Sequence, residues 1–202
     1  MERLNERWGY IRETREKAEK EGLDKVTGLH RTGLEDYLEA IYPNTVDWVH
    51  NRNVRIEING VECDRRPDYR SESLRLIVEF DGLPHYQKPD QIVRDEENTK
   101  GYIGANYKVV RIPYFIQLTK SAIKELFGVA VEQDFFNPNL PSIGSLNKNT
   151  PAYLCPAGVE RMAREFLRFP DQYAVNVSAL EEEENPALTG IDFLTTAYDK
   201  IK

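Results

Sequence analysis

Leu74-Arg-Leu-Ile-Val-Glu-Phe is an alternating apolar run, and the segments after it dictate how it can pair. Successive side chains in a strand point to opposite faces. Leu74, Leu76, Val78 and Phe80 therefore share one face, and Arg75, Ile77, Glu79 and Asp81 the other. Residues 89–103 carry helical spacing, with Ile92, Glu96, Thr99 and Ile103 in register and Gly104 as the stop. Tyr107-Lys-Val-Val-Arg-Ile then reads as a buried strand ended by Pro113. Two strands joined through a helical crossover lie parallel, so this unit makes the chain an α/β protein.

The flanks complete the pattern. Leu34, Leu38 and Ile41 form the stripe of a helix closed by Pro43, with Thr32 as a good N-cap and Glu35 three residues on. Val46 to Val49 predicts a short strand. Val54-Arg-Ile-Glu-Ile and Val61-Glu-Cys-Asp-Arg alternate around Asn59-Gly60, a strong hairpin signal. A short loop between strands near 68 and 74 predicts antiparallel pairing, and Ser121 to Phe127 a short helix. The expected core, residues 32–134, is thus an αβββαβ arrangement whose mixed sheet is flanked by helices. Residues 1–31 form a charged N-terminal helix, rich in i,i+4 pairs such as Glu13–Lys17. Residues 135–202 form a small, mostly helical extension. It opens with a Pro/Asn/Gly loop and continues with an amphipathic helix over 156–169 that turns Val159, Met162, Ala163, Phe166 and Leu167 inward. The acidic run Glu181 to Glu184 is read as a solvated turn or helix start.

Composition narrows the setting. No apolar run approaches the roughly 20 residues needed to cross a bilayer. The N-terminal mixture of Arg, Lys and Glu matches neither a secretory signal nor an acid-poor transit peptide. Two cysteines, Cys63 and Cys155, are too few for a disulfide framework and lack metal-ligand spacing, so a cytoplasmic setting and no membrane partner are expected. A net charge of −7 argues against tight, nonspecific nucleic-acid binding. Local basic charge is nevertheless present in Arg65, Arg66, Arg70, Lys88 and Arg94.

Pro67-Asp68 and Glu79-Phe80-Asp81-Gly82, followed by His85, put three carboxylates and an imidazole within eighteen residues. Acids converging in this way repel and raise one another's pKa unless a divalent cation sits between them. The expected site is therefore one for Mg²⁺ or Mn²⁺, with phosphodiester hydrolysis as its chemistry. His85 is the side chain whose ordinary pKa, about 6.5, suits proton transfer near neutrality. Taken one at a time, the residues also have plainer readings: Glu35 completing a capping box with Thr32, Asp68 a turn residue, Asp81-Gly82 a strand end, and Arg94 with Asp95 a structural ion pair or a phosphate contact. Strand parity does not select which of Glu79 and Asp81 meets the metal. His30 and His50 are expected on the surface or in loops, and Tyr86, Tyr102 and Tyr107 in packing rather than stacked on a base.

In order and spacing, Glu35, Arg66-Pro-Asp68, Ile77-Val-Glu-Phe-Asp-Gly-Leu-Pro-His85, Arg94-Asp95 and Lys108-Val-Val-Arg-Ile resemble the PD-(D/E)XK nuclease superfamily. The closer likeness is to its very-short-patch repair endonuclease-like branch, with EDxHD-type bacterial relatives of unassigned function. The resemblance spans residues 32–118. It implies a restriction-endonuclease-like core and metal-dependent DNA cleavage, with Asp68, Glu79 and Asp81 at the metal. It further implies His85 as general base or leaving-group acid and Glu35 as a residue acting through water. Asp81 stands where the superfamily usually has Lys and the repair enzymes a His, which leaves the activation of water to His85 or a metal-bound hydroxide. The alternative is a nuclease-fold module that binds nucleic acid or protein without cutting. A protein partner or a second copy would then dock through the C-terminal extension.

Overall fold

The first helix, α1 (Glu35–Ile41), turns Tyr37, Leu38 and Ile41 into the core. The structure, a computed structural model, describes residues 34–132 and 134–202. The expected charged helix of residues 1–31, His30 and the Thr32 cap lie outside the described residues. The N-cap of α1 is Leu34, which offers no side-chain cap. Glu35 instead accepts a hydrogen bond from the Tyr69 hydroxyl, a contact beyond its own helix.

Five strands come next: β1 (Val49–His50), β2 (Val54–Ile58), β3 (Val61–Arg65), β4 (Tyr69–Ser71) and β5 (Leu76–Asp81). Asn59 and Gly60 take φ of 52° and 79°, the left-handed geometry that a two-residue hairpin between β2 and β3 requires. Beyond β5 come α2 (Pro84–Gln87), α3 (Pro89–Gly104), β6 (Lys108–Pro113) and α4 (Lys120–Phe127). The Thr119 hydroxyl caps α4 by accepting from the Ala122 amide. The C-terminal part is helical: α5 (Pro156–Arg168), α6 (Pro170–Glu181), α7 (Pro186–Thr189) and α8 (Ile191–Ile201).

The main sheet has the order β1-β4-β5-β6, antiparallel except for the parallel β5–β6 pair, and helices flank it. Pairing of the strands near 68 and 74 is antiparallel and the crossover pairing parallel, as the sequence predicts. The β2–β3 hairpin is a separate two-stranded sheet. It packs Val54 and Ile56 on Ile77, Tyr102 and Tyr107.

Local differences have local causes. Strand β5 starts at Leu76 rather than Leu74, because Arg75 adopts φ of 48° in the tight turn that pairs Ser71 with Leu76. The buried side of α3 runs through Ile92, Asp95 and Tyr102, while Ile103 is 58% exposed. The stripe steps by three from Ile92 to Asp95 rather than by four to Glu96, so Tyr102 takes the inward place expected for Ile103. His50 is buried at the end of β1 beside the Tyr69 ring, at 5.2 Å, rather than on the surface. Tyr86, Tyr102 and Tyr107 are buried, as expected of packing residues.

Parity in β5 separates two jobs. Leu76 and Val78 join one continuous apolar core with α1, α4 and the C-terminal helices, reaching Phe166, Leu180 and Leu194. Ile77 faces the other way, onto the hairpin and α3, and Glu79 and Asp81 share that side. No helix among the described residues is long and apolar enough to cross a membrane.

Candidate functional site

Asp68 immediately precedes β4, opposite Glu79 in an antiparallel register that pairs Tyr69 with Val78. The main chain fixes both acids. The Asp68 amide donates to Glu79 Oε2 at 3.1 Å, and the Phe80 amide donates to Asp68 Oδ2 at 2.7 Å. Burial raises the Asp68 pKa to about 6, with the Phe80 amide opposing and the Asp81 charge adding. Burial, then the Asp68 charge, raises Glu79 to about 8. Near neutrality this pair therefore retains a proton that solvated carboxylates would have lost. Burial, reinforced by the Glu79 charge, also keeps the Tyr102 hydroxyl protonated.

Two residues beyond Glu79, Asp81 is fully buried and sits in a different electrostatic setting. Arg111, its near neighbour on β6, grips it twice, Nε to Oδ2 at 2.7 Å and Nη2 to Oδ1 at 2.5 Å. Arg161 of α5 adds Nη2 to Oδ2 at 2.5 Å. Asp95 of α3 accepts from Gln91 Nε2 and Arg161 Nη1, each at 2.8 Å. His85 Nδ1 lies 2.7 Å from Asp95 Oδ2 and 3.3 Å from Asp81 Oδ1. Burial alone would depress the His85 pKa, but the Asp95 hydrogen bond and the two carboxylate charges raise it overall. Burial would raise Asp95, yet its bonds to His85 and the two arginines hold it down near about 2.

Ligand atoms of Asp81, His85 and Asp95 all lie within 4.8 Å of one another, a spacing that could hold a metal ion. The charge balance opposes it. Two guanidiniums already neutralise the two carboxylates, and a divalent cation would have to displace them. Asp68 and Glu79 offer the better donor set: hard oxygen ligands, adjacent, half-buried and tending to keep a proton for want of positive charge. Asp81, expected at the metal, is ion-paired with Arg111 and Arg161.

A polar pocket of about 240 Å³ brings Asp68, Glu79, His85, Asp95, Arg65 and Arg66 together. Arg65 is oriented by Asn98 Oδ1 at 2.8 Å, and Arg66 is exposed. The other sequence-derived residues do not line it. Glu35 is drawn to Tyr69, whose side chain belongs to the opposite, core face of the sheet. Arg70, paired with Glu72 at 2.9 Å, stands beside Ile77, two residues back along β5 from Glu79. Lys88 occupies the N-cap position of α3 and is exposed. Arg94 meets Asp90 at 3.7 Å on the outer surface of the same helix, and not its neighbour Asp95.

Sequence reasoning passed over Asp95, Arg111 and Arg161 as parts of the site. The first two carried a signal: Asp95 falls three residues after Ile92 on the buried stripe, and Arg111 lies in parallel register with Glu79. Arg161 carried none, since its partners are up to 80 residues away. No protein-family model, curated protein or solved structure matches the chain.

Proposed function

We propose that this protein is a divalent-metal-dependent endonuclease of the PD-(D/E)XK type, hydrolysing phosphodiester bonds in DNA. The observation that carries the reading is the half-buried Asp68–Glu79 pair, clasped by main-chain amides and opening onto a pocket shared with a His85–Asp95 pair. Asp68 and Glu79 are the residues that would hold Mg²⁺ or Mn²⁺. When bound, such a cation supplies Lewis-acid polarisation of a phosphoryl oxygen and acidifies water.

The remaining work falls to the chain. Asp95 fixes Nδ1 of His85, leaving Nε2 as the nitrogen that exchanges a proton with attacking water or leaving oxygen. Arg65 and Arg66, which line the pocket, would contact neighbouring phosphates. Asp81 acts through charge balance, and Glu35, Arg70, Lys88 and Arg94 are left out of the reaction scheme.

Supercoiled plasmid incubated with the protein and Mg²⁺ or Mn²⁺ is the test. Asp68→Asn and Glu79→Gln should each reduce the cleavage rate by about 10²-fold or more, and His85→Ala by about 10²–10⁴-fold, with folding retained. Cutting by Asp68→Asn at the wild-type rate would refute the metal assignment. A second reading, a nuclease-like module that binds nucleic acid without cutting, is favoured by one observation: where a lysine is usual stands Asp81, buried and neutralised. Wild type that shifts DNA but never cleaves it decides for that reading.

A further inference from the structure

The helices after residue 155 contribute a side chain to the centre of the site. We propose that Arg161 of α5 is a positioning residue for His85, clamping the Asp95 carboxylate against His85 Nδ1 and making the C-terminal part of the chain integral to the reacting centre. The proposal rests on the nuclease reading above for its rate prediction, but not for its geometry.

One guanidinium makes four directed bonds. Nη1 donates to Asp95 Oδ2 at 2.8 Å and to the His85 carbonyl at 3.2 Å. Nη2 donates to Asp81 Oδ2 at 2.5 Å, and Nε to Glu165 Oε1 at 3.1 Å. The guanidinium also lies over the Tyr86 ring, 4.7 Å from its centroid. Tyr86 in turn donates its hydroxyl to Glu165 Oε2 at 2.6 Å, closing a ring of contacts that orients the arginine. Asp81, Asp95 and Tyr86 are buried and Arg161 and Glu165 nearly so, which makes the bonds directional rather than interchangeable with water.

Helix α5 is built to bring Arg161 there. Cys155, at its N-cap, directs both its amide and its thiol to the Tyr86 carbonyl, at 3.2 and 3.3 Å. A Cβ on Gly158 would stand 1.8 Å from that same oxygen, so only glycine permits the approach. The helix is thereby seated on the residue next to His85 in the chain.

The charges facing His85 come from four elements: Asp81 on β5, Asp95 on α3, Arg111 on β6 and Arg161 on α5, with Asp68 across the pocket. Without Arg161, two carboxylates would confront a single guanidinium, and Asp95 would lose the donor that holds its Oδ2 beside the imidazole. A lysine at 161 keeps the charge, but its single ammonium cannot span Asp81, Asp95 and Glu165 together.

Arg161→Lys tests the proposal with two independent readouts. In plasmid cleavage, kcat should fall about tenfold or more, as expected for a misaligned proton-transfer group. KM should stay within about twofold, because the Arg161 guanidinium is already engaged by Asp81, Asp95 and Glu165. In the metal-free protein, wild type should show a strongly downfield, slowly exchanging His85 Nδ1 proton by NMR, and the variant should lose it. A folded variant with unchanged kcat, or with an unchanged His85 resonance, overturns the proposal. If the variant does not fold, wild type still decides: Arg161 guanidinium protons that exchange freely with water overturn the clamp, and protected ones support it. Wild type that fails to cut any DNA, with the resonance lost in the variant, sinks the nuclease reading and leaves the positioning role standing.

Discussion

Two acids separated by eleven residues, Asp68 and Glu79, share an environment that withholds charge from them. Their raised pKa values have a consequence for stability. In the folded protein Glu79 titrates near about 8 and Asp68 near about 6, against ordinary values of 4.5 and 3.8. Between those ordinary values and about 8 the folded state binds more protons than the unfolded chain, so stability falls as pH rises through this window. Metal-free protein should therefore be less stable at pH 8 than at pH 6, by on the order of 1–3 kcal/mol from this pair. Urea denaturation at the two pH values measures it, and Glu79→Gln should flatten the difference. On the proposed reading Mn²⁺ would displace the retained proton, so the metal should stabilise the protein more at pH 8 than at pH 6. A pH dependence that is the same in wild type and Glu79→Gln would contradict the coupling.

Helix α3 is the element that joins hairpin, sheet and site. Its inner side carries Ile92, Asp95 and Tyr102, and its Gly101 admits the β2–β3 hairpin. A Cβ on Gly101 would lie 2.7 Å from Ile56 Cδ1 and 3.1 Å from the Glu57 carbonyl. Gly101→Ala should therefore push the hairpin outward and cost about 1–3 kcal/mol. Hydrogen exchange should show lost protection concentrated in residues 54–65, and uniform loss across β4–β6 would contradict the local account.

Elements like these were the legible part of the sequence, because a hairpin turn, an alternating strand and a crossover helix are each specified by neighbours in the chain. The misread details depended on something else. Ile103 gave way to Tyr102 because the inward stripe steps from Ile92 by three to Asp95, where the expected register stepped by four to Glu96. Asp68, Glu79 and His85 were recognisable together because the segments that carry them adjoin in sequence. The neutralisation of Asp81 was not, since it needs a guanidinium from a helix whose own spacing reports only its apolar side.

At the scale of the molecule, the apolar core does not stop where the sheet ends. Phe115, fully buried after β6, packs on Phe166 of α5 with ring centroids 4.7 Å apart. Met162, Leu180 and Leu194 belong to the same continuous cluster as Leu38, Val78 and Ile123. A chain ending at residue 134 would expose that surface, and it should fail to unfold cooperatively by circular dichroism or calorimetry. A sharp melting transition for that fragment would show that the first part suffices. The chain order of these parts bears on how such a protein is made. During synthesis, Asp68, Glu79 and His85 leave the ribosome well before Arg161, which lies 80 residues beyond its partner Asp81. If the protein cuts DNA as proposed, a nascent polypeptide would carry the groups for it unaligned, and a half-made copy would pose little hazard to the genome of the cell translating it.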